Sequence, residues 1–249
     1  PADHTNCYLI GDPNGEFIIV DPAVRYREDM ESLADAVQRH NGEPIAIAFT
    51  HSHGDHLADM GLISEAFDLP VWGSEYTSRS VDCDRILVDG EILQLGNQAW
   101  QVLITPGHHP GHTCFLSDAG LVAGDMLAGF GTILIPPATG DMEVYLEQLE
   151  RLKNMQPHLA FPSHGPVIAL PEKKFNHYIK HRTARHNKVL QAVIDGYSSV
   201  SEIAVKAYDD TPDAHPGLAK DQTLAHLLAH QRQGKTKVDS NGNWHASID

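Results

Sequence analysis

His51-Ser52-His53-Gly54-Asp55-His56 puts three imidazoles and a carboxylate into six residues. In an extended segment, residues two apart point the same way. His51 and His53 can therefore reach one metal ion together. Asp55 and His56 lie beyond a glycine that lets the chain turn, and they can aim at a second ion close by. Imidazole and carboxylate are the ligands of catalytic zinc, which keeps one position open for water. Such a centre suits hydrolysis, because metal binding lowers the pKa of water from 15.7 to about 7. The bland alternative is a histidine-rich surface loop.

Two metals need more ligands, and candidates stand in loops that follow predicted strands. Trp100–Thr105 precedes Pro106-Gly107-His108-His109-Pro110-Gly111-His112. Leu121–Ala123 precedes Gly124-Asp125, and Leu159–Phe161 precedes Pro162-Ser163-His164-Gly165. Rigid sheets present active-site groups on loops of this kind. Singly each signal is weak, since a lone strand-end histidine is more often a satisfied turn residue. Beside HxHxDH they form a set.

The remaining elements must position that set. Cys7–Ile10 and Phe17–Val20, separated by Gly11-Asp12-Pro13-Asn14-Gly15, read as a hairpin. Met30, Leu33, Ala34 and Val37 give Asp29–Arg39 a helical spacing. Ile45–Thr50 is a strand by its continuous apolar content, and it ends at His51. Leu57–Phe67 and Val144–Met155 read as helices. Val71–Trp72, Ile86–Val88, Ile92–Leu95 and Thr113–Ser117 read as further strands. From Glu172 the pattern changes to helices over Glu172–Asp195, Val200–Tyr208 and Leu218–Gln233. A hairpin of Thr236–Val238 and Trp244–Ala246 follows. Three helices and a hairpin outline a winged-helix module. The expected architecture is α/β, with a catalytic domain over 1–171 and a winged-helix-like domain over 172–249.

Composition narrows the classes. Hydrophobic residues make up 41% of 249, enough to bury a core, and charged residues 20%. No apolar run nears the roughly 18 residues of a membrane span, so a membrane partner is not expected. Three scattered cysteines, Cys7, Cys83 and Cys114, argue against a disulfide scaffold. With no signal h-region, the expected compartment is the cytoplasm. Net charge is −15 and uneven. Residues 1–171 hold 7 Lys and Arg against 24 Asp and Glu, a net of −17, while residues 172–249 hold 11 against 9, a net of +2. The stretch 172–190 carries Lys173, Lys174, Lys180, Arg182, Arg185 and Lys188 against Glu172 alone. Its plain reading is a solvated face with snorkelling lysines. Its sharper reading is a phosphate-facing strip for RNA, with Phe175 and Tyr178 either stacking bases or anchoring the helix.

Taken in order over residues 1–170, HxHxDH, TPGHxxGH, Gly-Asp and the late SHG resemble the metallo-β-lactamase superfamily. The resemblance implies a four-layer αββα sandwich with a dinuclear site at one edge of its two sheets. It implies that His51, His53 and His108 hold one metal, that Asp55, His56 and His164 hold the other, and that Asp125 bridges them. His109 fills a position the family often gives to Thr or Ser, and His112 would hydrogen-bond rather than ligate. Gly129-Phe130-Gly131-Thr132, Pro136-Pro137, a helix, PSHGPVI, the long basic helix and the winged-helix tail resemble the branch represented by β-lactamase-like protein 2. That branch begins with more sequence before the first strand read here, so the resemblance implies that the first strand of the sandwich is missing. Its eukaryotic members act as endoribonucleases.

The function expected is a dinuclear metal-dependent hydrolase with two zinc ions, iron or manganese being the alternatives that the two aspartates tolerate. A metal-bridging hydroxide would attack an ester, thioester, lactone or related carbonyl substrate. Asp55 would orient that hydroxide and then pass a proton to the leaving group. The rival readings are an endoribonuclease cleaving single-stranded RNA and a non-catalytic, nucleic-acid-binding winged-helix module. A homodimer formed through that module is a further expectation. The −17 charge favours a small-molecule substrate over a polyanion.

Overall fold

The computed structural model describes residues 4–247. The chain forms two compact units. The first is built on ten strands. β1 (Tyr8–Gly11), β2 (Glu16–Val20), β3 (Glu43–Ala48), β4 (Val71–Ser74) and β5 (Arg85–Leu87) form one sheet in chain order. β1 and β2 are an antiparallel hairpin, and the later neighbours are parallel. Parallel neighbours need crossovers. Helix α1 (Arg27–Arg39) provides one, and the HSHGDH loop with helix α2 (Met60–Ala66) provides the next. The second sheet holds β6 (Ile92–Leu95), β7 (Gln98–Ile104), β8 (Thr113–Ser117), β9 (Gly120–Gly124) and β10 (Ala160–Pro162). Its strands are antiparallel except that β10 runs parallel to β9.

β2 shows how the core divides. Alternate side chains face opposite sides of a strand. Phe17 and Ile19 pack with Met30 and Leu33 of α1 and Ile63 of α2. Ile18 and Val20 pack with Trp100, Val102 and Phe115 of the second sheet. The first unit is therefore a helical layer on one sheet, with the second sheet face to face beneath. The polar loops that close it carry His51, His53, Asp55, His56, Asp125 and His164.

Most element ends lie within two residues of the sequence-based expectation, and two departures have local causes. The helix expected from Leu57 starts at Met60, because the Asp59 carboxylate accepts the N–H groups of Gly61 and Leu62 and caps it there. The strand expected to reach Thr50 ends at Ala48, and the Thr50 N–H goes to Asp21 Oδ1 instead (2.7 Å). A short 3₁₀ turn at Thr77–Arg79 was not expected.

The second unit carries α3 (Met142–Asn154), α4 (Pro171–Ile194), α5 (Val200–Ala207), α6 (Pro216–Arg232) and the hairpin β11 (Thr236–Val238) with β12 (Trp244–Ala246). Val189 and Val193 of α4, Ile203 of α5, Leu227 of α6 and Trp244 of β12 form its core. A capping box starts α5: Ser199 Oγ accepts from the Glu202 N–H (3.2 Å), and the Ser199 N–H donates to Glu202 Oε2 (3.1 Å).

The basic strip expected on α4 is not continuous. Arg182 and Arg185 are buried. Arg185 bonds Asp210, Thr211 and the Ala207 carbonyl, and it lies over the Tyr208 ring at 3.9 Å. Lys188 pairs with Asp209 and Asp210 at 3.0 and 2.9 Å. Phe175 and Tyr178 are fully buried, so they anchor the helix and cannot stack on a base. Among the described residues, no helix is long and apolar enough to cross a membrane.

Candidate metal centre

In parallel sheets, sites form beyond the carboxyl ends of the strands. Here the ends of β2 and β3 bring Asp21 and Thr50 side by side. Asp21 is buried and sits at φ 47°, a left-handed conformation uncommon outside glycine. Its carboxylate accepts the Thr50 N–H (2.7 Å), the Thr50 hydroxyl (2.6 Å) and His56 Nδ1–H (2.8 Å). Sequence reasoning missed this residue. The rule that found Asp125, a ligand-type residue beside Gly or Pro at a strand end, applies equally to Val20-Asp21-Pro22.

These bonds decide which imidazole nitrogens are left for a metal. His56 gives Nδ1 to Asp21, which leaves Nε2. Since the Thr50 hydroxyl donates to Asp21, it can accept from His51 Nδ1 (3.1 Å), which leaves His51 Nε2, 2.9 Å from His53 Nδ1. His108 Nδ1 donates to the Leu134 carbonyl (2.7 Å), and His164 Nδ1 to the His4 carbonyl (3.0 Å). Holding one ring nitrogen in a hydrogen bond so that the other faces an ion is the usual arrangement for metal-binding histidines.

The nitrogens and oxygens so released converge. The ligand atoms of His51, His56 and Asp125 lie within 4.8 Å of one another, as do those of Asp55, His56 and His164 and those of His51, His53 and His108. All seven expected ligand residues belong to these three groups. His109 is buried but belongs to none of them. His112 is buried and occupied at both ends: Nδ1 meets Thr105 Oγ1 (2.8 Å), and Nε2 accepts the Asp125 N–H (2.9 Å). With its lone pair taken, His112 orients Asp125 and does not ligate. A Cβ on Gly124, at φ 51°, would come within 2.4 Å of His112 Nε2, so this position requires glycine. Asn6 supports the His164 loop, with its side-chain amide donating to the Pro162 and Gly165 carbonyls.

The fit to metal ions shows in His56. Its Nε2 is buried, makes no hydrogen bond, and lies 3.6 Å from Asp125 Oδ1 and 3.9 Å from Asp55 Oδ2. A buried polar atom without a partner is costly, and a cation between these groups would resolve it. The electrostatics of these groups agree. The neighbouring His164 imidazole, 3.5 Å away, holds Asp55 well below the usual carboxylate range. The same pairing raises His164 to about 9. Burial opposes charge on His56, but the Asp21 carboxylate, helped by Asp125 and Asp55, prevails and raises its pKa. Burial pushes Asp125 up to about 6, with His56 and His164 pulling the other way.

A pH dependence follows. His164 and His56 hold protons more tightly than ordinary histidines, and a metal must displace them. Metal uptake at pH 7 is expected to release protons, and affinity is expected to rise with pH until His164 deprotonates near 9. Calorimetric titration in two buffers of different ionisation enthalpy measures the release. Equal heats in both would contradict the expectation.

The family model described as the metallo-beta-lactamase superfamily matches residues 1–80 and 74–164. A Drosophila melanogaster protein, beta-lactamase-like protein 2 homolog, is 26% identical over 255 residues, covering 96% of this chain and 86% of that protein. An atrochrysone carboxyl ACP thioesterase of Aspergillus fumigatus is 26% identical over 195 residues, 76% of this chain; the match spans only 59% of that enzyme. Among solved structures, a beta-lactamase domain protein from Burkholderia ambifaria has a similar fold. The TM-score is 0.83 at 22% identity, over 98% of this chain and 88% of that one.

Proposed function

The chain belongs to the metallo-beta-lactamase superfamily, whose members are metal-dependent hydrolases, and on that premise we propose that it is a dinuclear hydrolase of thioesters or related small carbonyl substrates. The observation that carries the reading is His56, held at Nδ1 by Asp21 and presenting a buried, unbonded Nε2 toward two carboxylates. In this reading His51, His53 and His108 would hold one ion, Asp55, His56 and His164 would hold the other, and Asp125 would serve both. Zinc suits the histidine-rich set, while the carboxylates also accommodate iron or manganese. Bound there, the ions supply Lewis acidity and a water acidified to a pKa of about 7.

The chain's own groups do the rest. Asp55, whose side chain is about half exposed (52%), would orient the attacking water and relay its proton to the leaving group. Asp21 fixes the His56 ring and His112 fixes Asp125, so the set is organised before substrate arrives. The thioester reading draws on the Aspergillus fumigatus relative. The preference for a small substrate rests on the net −17 of residues 1–171 and on the burial of Arg182 and Arg185, which takes two guanidiniums out of any phosphate-facing strip. The order α4, α5, α6 and β11–β12 supports a winged-helix reading of the C-terminal part.

The test is a parallel assay of zinc-loaded protein on a short acyl thioester, a lactone and a single-stranded RNA. Turnover of the thioester or lactone, with RNA left intact at physiological salt, is the expected result. RNA cleavage that is lost in His51→Ala would replace this reading with the ribonuclease one. A paired substitution separates the two adjacent histidines. His108→Ala is expected to lose one metal and nearly all activity, while His109→Ala keeps both metals and changes activity only modestly. The opposite pattern in elemental analysis would reassign the ligand.

A further inference from the structure

Arg182 and Gln222, two of the buried polar side chains of the second unit, have no role at the metal centre in the reading above. Arg182 of α4 donates through Nη1 to Gln222 Oε1 of α6 (2.7 Å) and through Nη2 to the Ile133 carbonyl. Gln222 grips the same segment two residues on. Its Oε1 accepts the Ile135 N–H (3.2 Å), and its Nε2–H donates to the Ile135 carbonyl (2.9 Å). Arg182 is 2% exposed and Gln222 6%, so these bonds form away from water, where losing one leaves its partner unpaired. Together they fix the backbone on both sides of Leu134. The Leu134 carbonyl, the one between, accepts His108 Nδ1–H (2.7 Å).

We infer that Arg182 and Gln222 are positioning residues for the metal centre: through the Ile133–Ile135 segment they set the tautomer and the direction of His108. The inference rests on His108 being a ligand, as proposed above. The chain of bonds runs from α4 and α6 through Ile133–Ile135 to His108, all within the second unit. It gives Arg182 a physical reason to lie inside the protein. The other ligands have their own supports, Thr50 for His51, Asp21 for His56 and the His4 carbonyl for His164. Loosening the Arg182–Gln222 clamp should therefore affect one ion and spare the other.

The test uses full-length Gln222→Glu and Gln222→Met proteins. Glutamate keeps the volume and both acceptor contacts, and it pairs with Arg182, so the fold survives even if the methionine variant, which strands the Arg182 charge, does not. It replaces the donation to the Ile135 carbonyl with a carboxylate oxygen set against that carbonyl oxygen. Chelator competition measures the affinity of each zinc ion, and two-bond ¹H–¹⁵N NMR of the metal-free protein reads the His108 tautomer, assigned by comparison with His108→Gln. In the wild type, His108 is expected as the Nδ1–H form. In the folded variants the other tautomer appears, and one zinc affinity falls by about ten- to hundredfold while the second stays within about twofold. A folded variant with a wild-type tautomer and two wild-type affinities overturns the inference. Retention of two zinc ions by His108→Ala overturns the ligand reading instead, and the inference with it.

Discussion

Asp125→Ala protein is expected to retain less than one zinc ion per chain and to hydrolyse substrate at least about a thousandfold more slowly, with its fold intact. Asp125 is the residue in the proposed set whose loss removes a ligand from both ions. Its backbone is held by His112 and its carboxyl is buried near His56 and His164, so no neighbour can take its place. The fold does not depend on it. Burial lifts its pKa to about 6, above the ordinary value of about 3.9. A carboxyl raised in the folded state costs stability as pH climbs from the unfolded value through the folded one. At pH 7 the metal-free wild type bears that cost and the variant does not. The variant's metal-free melting temperature is therefore expected to be no lower than the wild type's. A variant with two metals and wild-type turnover would contradict the assignment, and so would one that fails to fold.

Asp21→Ala is expected to do the reverse and damage the fold first. Removing this carboxylate strands the buried Thr50 N–H, Thr50 hydroxyl and raised-pKa His56. Breaking a buried charged pair in this way costs about 3–5 kcal/mol. At about 2–4 °C per kcal/mol for a chain of this size, melting should drop by roughly 6–20 °C. Zinc affinity should fall as well, because His56 and His51 lose the groups that aim them. Urea denaturation at pH 7 measures the first effect. An unchanged midpoint would show that the Asp21 network is not what holds the ends of β2 and β3 together.

The contrast between these two aspartates marks how far the sequence could be read. HSHGDH is legible because its chemistry is local, with strand geometry alone pairing His51 and His53. Asp125, His108 and His164 are legible only as members of a set at strand ends. Asp21 stands at a strand end too, but it acts through hydrogen bonds to residues about 30 positions away, and nothing in its neighbourhood announces that reach. The basic helix kept two readings for a different reason: a count of charge over 172–190 treats all six cations alike. Phe175, Tyr178, Arg182, Arg185, Val189 and Ala192 recur at steps of three and four, which is one face of a helix. The two arginines sit on the apolar stripe, and that spacing marked them as inward-facing. The boundary of α2 was readable from Asp59, an N-cap residue just ahead of the true first turn.

The central claim, that this chain hydrolyses a small carbonyl substrate with two metals held by the HSHGDH set, is tested most directly on one preparation of wild type and one of His51→Ala. Metal content, thioester turnover and circular dichroism would be measured on the same samples. The predicted result is two metal ions per chain with turnover in the wild type. In His51→Ala one ion and the turnover should be lost, with the spectrum unchanged, since the sandwich core does not include that side chain. A His51→Ala protein that keeps both metals and full activity would contradict it.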